Sequence, residues 1–183
     1  MLQFNFFPFP NLTTSRLLLR QITIDDVDDL FLMRSDKETM RFIPRPVATE
    51  KNDVIELIER VDIGIKKNES INWAIALKEN NQLIGTIGFV RSKPEHHRAE
   101  VGYMIQKEHQ GKGYTFEALE KIIEYGFNEM KLHSIEAVID PNNSASEKLL
   151  QKSKFIKEAY FKEHELWEGR YLDSFVYSRL KHY

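Results

Sequence analysis

The segment Glu100-Val-Gly-Tyr-Met-Ile-Gln-Lys-Glu-His-Gln-Gly-Lys-Gly-Tyr-Thr-Phe116 decides how the rest of the chain is read. Its first half alternates at the period of a strand, and its second half passes through a glycine-rich turn into an amphipathic helical pattern. Gly111 and Gly113 let the backbone approach an anion closely, and the first N–H groups of the following helix have no partner within it. Those donors and the positive end of the helix dipole suit a pyrophosphate. An ordinary glycine-rich strand-to-helix turn is the competing reading.

Two better-known phosphate loops fail on the residues. A Walker A loop needs Gly-Lys-Ser/Thr, but Gly111-Lys112 is followed by Gly113, and Gln106 stands where the leading glycine belongs. A dinucleotide fingerprint needs a third glycine where Phe116 sits. What remains, Gln110-Gly111-Lys112-Gly113-Tyr114-Thr115, resembles the Gln/Arg-x-x-Gly-x-Gly/Ala acetyl-CoA signature of the GNAT superfamily of N-acetyltransferases, with Thr115 in place of the final small residue. Downstream, Asp140-Pro-Asn-Asn-Ser-Ala-Ser146, then Leu149 and Lys152-Ser-Lys-Phe155, is similar to the superfamily's second hallmark. With Arg16 to Arg20 and Glu100-Val-Gly-Tyr103, the resemblance covers residues 12 to 180 and is closest to the ribosomal-protein (RimJ/RimL-like) branch.

Outside these motifs, the first strand is expected at Arg16 to Ile22, and Thr23-Ile-Asp-Asp26 has the pattern of a capping box opening a short helix. Its acids Asp25, Asp26, Asp28 and Asp29 read as partners of the helix dipole rather than ligands. Residues 36 to 48, with Pro44 and Pro46, are expected as loop. A second helix starts at Thr49, its apolar positions Val54, Leu57, Ile58, Val61 and Ile65 recurring at helical spacing. Trp73, Ile75 and Leu77 alternate, Asn80-Asn81 supplies a turn, and Leu83 to Val90 returns as a hairpin. Lys93 to Arg98 should be a polar loop before the strand Ala99 to Ile105. After the Phe116 to Met130 helix come a strand from Ser134 to Asp140 and a second capping box, Ser144-Ala-Ser-Glu147, whose helix turns Ala145, Leu149 and Leu150 inward. Strands from Phe155 to Glu163 and Leu172 to Leu180 close the chain.

This order argues α+β: a mixed, mostly antiparallel central sheet of about seven strands flanked by about four helices, the GNAT-like arrangement, rather than a doubly wound sheet. At 183 residues and 42% hydrophobic content the chain fills one core and is short for two, so 1–183 is expected as a single domain with an extended N-terminal segment over 1–11. A net charge of -2 gives no basic field for nucleic acid. No apolar run approaches the ~20 residues that cross a bilayer, and Met1 to Pro10 lacks the basic flank and cleavage site of a signal peptide, so a cytoplasmic location without membrane partners is expected. Cysteine is absent, which excludes thiolate metal sites and an acyl-cysteine intermediate. His96 and His97 are adjacent with no second ligand at spacing, so no metal is expected; His109, beside the glycine turn, reads as a loop histidine.

The resemblance implies acetyl-CoA as co-substrate and direct attack of an amine on its thioester in a ternary complex. It implies cradle contacts from Gln110, Gly111, Lys112, Gly113, Tyr114 and Thr115, backbone contacts from Met104 and Ile105, and a hold on the pantetheine arm by Asn143, whose competing role is helix capping. Glu100, one step before the cofactor segment, is the candidate base acting through water, with Val101, Tyr103 and Ile105 on the opposite face. Leu150 stands where many members carry a tyrosine that protonates the leaving thiolate, and Lys154 replaces a glycine. Ser146 is therefore the candidate acid. The acceptor is a protein N-terminal α-amine or a small amine. A non-catalytic acyl-CoA sensor and an acyltransferase for antibiotics or longer chains stand as alternatives, and the oligomeric state is open, a homodimer included.

Overall fold

A hydrophobic strand with a short polar exit leads the described chain into its sheet. Residues 2–181 are described by the computed structural model; Met1, in the expected N-terminal segment, lies outside them. Strand β1 (Leu12–Thr13) pairs antiparallel with β2 (Leu17–Gln21), whose Leu17 and Leu19 are fully buried. A 3-10 turn, Ile24–Asp26, then opens α1 (Val27–Ser35). Asp26 accepts the Thr23 N–H at 2.8 Å and both terminal nitrogens of Arg20 at 2.7 and 2.8 Å. It is a buried ion-pair partner as well as a helix-start acid, which the local pattern did not reveal.

The expected loop over 36–48 contains a short helix, α2 (Lys37–Met40). The prolines dominate the sequence pattern, but Asp36 lies before them and its carboxylate accepts the Thr39 N–H at 2.9 Å. Helix α3 (Lys51–Lys66) follows and buries Val54, Ile58 and Ile65. Its start is fixed by Asp53, which accepts the Thr49 N–H at 2.7 Å.

Strands β3 (Ile71–Leu77), β4 (Leu83–Lys93) and β5 (Arg98–Ile105) form an antiparallel meander. The expected loop at 93–98 is shorter than read, a 3-10 turn at Pro94–His96 closed by left-handed His97. Helix α4 (Tyr114–Asn128) crosses back, and β6 (Ser134–Ile139) joins β5 in parallel, the one parallel pairing among the described strands. Helix α5 (Ser144–Lys152), β7 (Ile156–Trp167) and β8 (Arg170–Leu180) complete a sheet of order β1-β2-β3-β4-β5-β6-β8-β7.

The sheet has eight strands and the described residues hold five α-helices, one more of each than expected. Strand β1 and helix α2 are too short to show a period. Both faces of the sheet are covered. Trp73, Ile75, Phe89 and Val101 pack with Leu119, Ile122 and Leu150 on the α4 and α5 side. Ala74, Leu83 and Met104 pack with Leu30, Met33, Val54 and Ile58 on the α1 and α3 side. The N-terminal segment belongs to the first of these layers: Phe6 is buried, and the Trp73 indole donates to the Pro10 carbonyl at 2.7 Å.

Candidate active site

Strands β5 and β6 stay together for three residues and then part. Their register runs Arg98↔Ser134, Ala99↔Ile135 and Glu100↔Glu136. Beyond it, β5 continues to Ile105 beside β4 and β6 continues to Ile139 beside β8. The result is a wedge-shaped gap lined by main chain. Gln106 donates its N–H to the Ile84 carbonyl at 2.8 Å, and bonded positions alternate along an antiparallel ladder. Met104 is therefore turned toward β4, while Tyr103 and Ile105 direct their N–H and C=O groups into the gap. Of the two expected backbone donors, Ile105 keeps the orientation needed to meet a ligand there.

At the mouth of the gap the chain makes the glycine-rich turn. Gly111 and Gly113 have φ of 72° and 81°, a left-handed conformation that a side chain would strain. Nothing lies within 4 Å of where a Gly111 Cβ would be, so the turn is open outward. The first bond inside α4 runs from the Glu117 N–H to the Gly113 carbonyl at 3.1 Å. The N–H groups of Tyr114, Thr115 and Phe116 precede it, and α4 has no side-chain cap. The Gln110 amide reaches the Ile105 carbonyl at 3.5 Å, and the Lys112 carbonyl accepts from Arg16 at 3.1 Å.

Arg16 also stacks over the Tyr114 ring at 4.3 Å and pairs with Glu117 at 2.7 Å. Glu117 collects three further donors, the hydroxyls of Thr14 and Ser15 and the Arg16 N–H, at 2.5, 2.9 and 2.9 Å. Burial pushes its carboxyl up, but these bonds outweigh it and hold the pKa at about 2. This strap ties the turn to the start of β2. Nothing local to Glu117 in the sequence signals partners about a hundred residues away.

Glu100 and Tyr103 lie on opposite faces of β5, as alternation predicts. Glu100 faces the α1 and α3 side and pairs with Arg91 across the strand at 3.1 Å. Burial raises its pKa, against the opposing pull of Arg91. Tyr103 faces α5, and its hydroxyl lies 2.6 Å from the Ser146 hydroxyl. Burial pushes the phenol up to about 12, with the Ser146 bond pulling it back. The candidate acid thus has a phenolic partner that the sequence analysis did not single out.

The start of α5 follows the competing reading of Asn143, helix capping, and not the capping box at Ser144. Its cap is Asn143, whose side-chain oxygen accepts the Ser146 N–H at 3.0 Å, rather than Ser144. The helix starts one residue earlier than the capping box implied, Ser146 and Leu150 face inward, and Ala145 is exposed. Glu147, expected in a capping box, instead accepts from Tyr177 and pairs with Lys157 at 2.8 Å. Leu150 fills the core and carries no acid function.

The structure has two cavities in these regions. One of about 830 Å³ runs along α4 from Arg16 and Gly113 past Phe116 to Lys152 and Arg179. The other, about 320 Å³, lies at the far end between the α2–α3 connection and the β7–β8 hairpin, lined by Arg41, Arg45, Val138, Glu165 and Trp167. His109 packs 6.0 Å from the Tyr114 ring, half-buried rather than solvated, and its Nδ1 has no hydrogen-bond partner among the described residues. No group of His, Asp and Glu suited to a metal occurs among the described residues, and no helix there is long and apolar enough to cross a membrane.

Comparison with known proteins bears on this arrangement directly. The Acetyltransferase (GNAT) domain family matches residues 16–156. An uncharacterized N-acetyltransferase, p20, of Bacillus licheniformis is 35% identical over 170 residues, 93% of this chain and 96% of that protein. The [ribosomal protein uS5]-alanine N-acetyltransferase of Escherichia coli strain K12 is 31% identical over 173 residues, 91% of this chain and 88% of that protein. Among solved structures, RimL, a ribosomal L7/L12 alpha-N-protein acetyltransferase in complex with coenzyme A, superposes with a TM-score of 0.85 at 19% identity, covering 93% of this chain and 98% of that one. The strand gap, the uncapped glycine turn and these relatives agree, and the chain belongs to the GNAT superfamily of N-acetyltransferases, on its RimJ/RimL-like side.

Proposed function

We propose that this acetyltransferase moves an acetyl group from acetyl-CoA to a primary amine by direct attack, with both substrates bound together. The observation that carries the reading is the parting of β5 and β6 after Glu100 beside the uncapped start of α4. A thioester arm in the gap would meet the Ile105 N–H, and its diphosphate would meet the N–H groups of Gly113 to Phe116, with Arg16 and Lys112 adding positive charge. Asn143 keeps its side-chain nitrogen for the arm while its oxygen caps α5.

The amine nitrogen attacks the thioester carbon, its proton leaves through water to Glu100, and the C–S bond breaks toward the Ser146 side. Ser146 delivers a proton to the thiolate and is resupplied from the Tyr103 hydroxyl, which regains its proton from water, while Glu100 releases to solvent the proton it took from the amine. A raised Glu100 pKa suits a base, because it brings the carboxylate closer to the amine it must relieve. An α-amine, near ~8, asks less of that base than a lysine amine near ~10.4. That difference, and the relative that modifies the alanine of uS5, support a protein N-terminus as acceptor. The far cavity with Arg45 and Trp167 is where it would enter.

The test is release of free thiol from acetyl-CoA with a panel of N-terminal peptides, lysine peptides and small amines. With no cysteine in the chain, every thiol detected comes from the co-substrate. Turnover with an α-amine peptide is the expected result. Tight binding of coenzyme A without thiol release from any amine would overturn the acceptor class, and no binding at millimolar concentration would overturn the cradle.

A further inference from the structure

Like charges on facing strand positions destabilise a sheet, yet the last rung that β5 and β6 share before they part sets Glu100 beside Glu136. Neighbouring strands lie about 4.8 Å apart and register partners point to the same face, so both carboxylates look toward the α1 and α3 side.

An arginine flanks each acid. Arg98, two residues before Glu100 on β5, reaches Glu136 at 2.9 Å and is steadied by the Ser134 hydroxyl at 3.2 Å. Arg91 reaches Glu100 from β4 at 3.1 Å. It can do so because the β4–β5 register slips between Phe89 and Arg91, with Val90 as the extra residue. Without that bulge Arg91 would share the face of Phe89, on the α4 side. Val138, two residues beyond Glu136 on the same face, lines the smaller cavity. So does Arg45, whose charge also acts on Glu100. Arg45 in turn pairs with Glu165 of the hairpin at 3.8 Å and repels Arg34 of α1, which Arg60 of α3 repels as well. On the far side, Ser178, the β8 partner of Glu136, donates its hydroxyl to Glu158 of β7 at 2.7 Å.

We propose that Glu136 is a positioning residue for the transfer, its charge directing the acceptor's proton onto Glu100 across the last shared rung. This rests on the reading of Glu100 as the base. The proton that the amine gives up passes through water to a Glu100 oxygen, and Glu136, held by Arg98, neither gains nor loses one. What Glu136 supplies is a fixed negative charge, which favours the protonated form of its neighbour. Burial is the main cause of the raised Glu100 pKa, Arg91 opposes it, and Glu136 adds to it. An ion pair that only held β5 to β6 would leave the titration of Glu100 untouched.

The experiment follows the Glu100 carboxyl by carbon NMR in the full chain labelled at glutamate, the signal being assigned with Glu100→Gln. Alongside it, the acid limb of kcat is measured with acetyl-CoA and an alanine-initiated peptide both saturating. Glu136→Gln removes a raising influence, so both midpoints should fall by about half a pH unit or more. Glu136→Thr, a residue that suits a strand, removes the charge a second way and should do the same. Glu136→Asp keeps the charge and should stay near wild type, whereas Arg91→Gln should move both midpoints up. A Glu100 midpoint that ignores the loss of the Glu136 charge would overturn the proposal and leave Glu100 as the base. If Glu100→Gln turns over like wild type, or the NMR midpoint moves while the acid limb stays, the base reading is gone and the proposal goes with it.

Discussion

At the residue scale, the proposed chemistry rests on Glu100, Tyr103 and Ser146. The facing of Glu100 was readable because strand alternation sets it apart from Val101 and Tyr103 on the other face. The Tyr103–Ser146 contact was not, since the two are 43 positions apart and neither carries a local signal of the other. Glu100→Gln should lower kcat by ~10²-fold or more while calorimetry finds acetyl-CoA affinity unchanged. Unaltered turnover at saturating amine would remove it from the reaction. Because its pKa is raised, the acid limb of the rate profile should fall at higher pH than an ordinary carboxylate near ~4.3 would set. Tyr103→Phe keeps the ring and removes the hydroxyl. If the phenol resupplies Ser146, kcat drops with KM for acetyl-CoA steady, and a change confined to KM would leave Tyr103 a packing role.

Elements were legible where their period was long and obscure where a single side chain set the boundary. Helices α3 and α4 announce themselves by apolar spacing, but the start of α5 was misplaced by one residue because a capping-box pattern at Ser144 outweighed the asparagine before it. Asn143→Ala should cost about 1 kcal/mol of stability through the lost cap, measured as a fall in the denaturation midpoint, and should weaken acetyl-CoA binding as well. Replacing Gly111 by alanine tests the turn. Its left-handed φ costs a side chain about 1–2 kcal/mol, so calorimetry should show weaker coenzyme binding even though a Cβ there would touch nothing.

For the whole molecule, the sheet class and the succession of elements followed from the sequence, whereas the strand order, with β8 set between β6 and β7, came from the structure. The strap from Arg16 to Glu117 did not follow, since it joins groups 101 positions apart. It carries a pH signature. The folded pKa of Glu117, about 2, lies below the ordinary carboxylate value, so its contribution is complete above ~4.3 and fades as pH falls toward 2. Allowing for solvent screening, on the order of 1–2 kcal/mol should disappear across that window in thermal melts, and Glu117→Gln should show a shallower loss. Trp73 sits where the N-terminal segment, the sheet and α4 meet, packed against Phe9, Phe89 and Tyr125. Trp73→Ala should lower stability by about 3–5 kcal/mol, read by chemical denaturation.

The separation of β5 from β6 is made by where main-chain bonding stops, not by which side chains border it. Donors of that kind survive almost any substitution that leaves the ladder intact. The walls around them are thus at liberty to diversify, and under the proposed function a lineage could exchange one amine for another by editing the α2–α3 connection and the hairpin tip while the main-chain donors stay as they were.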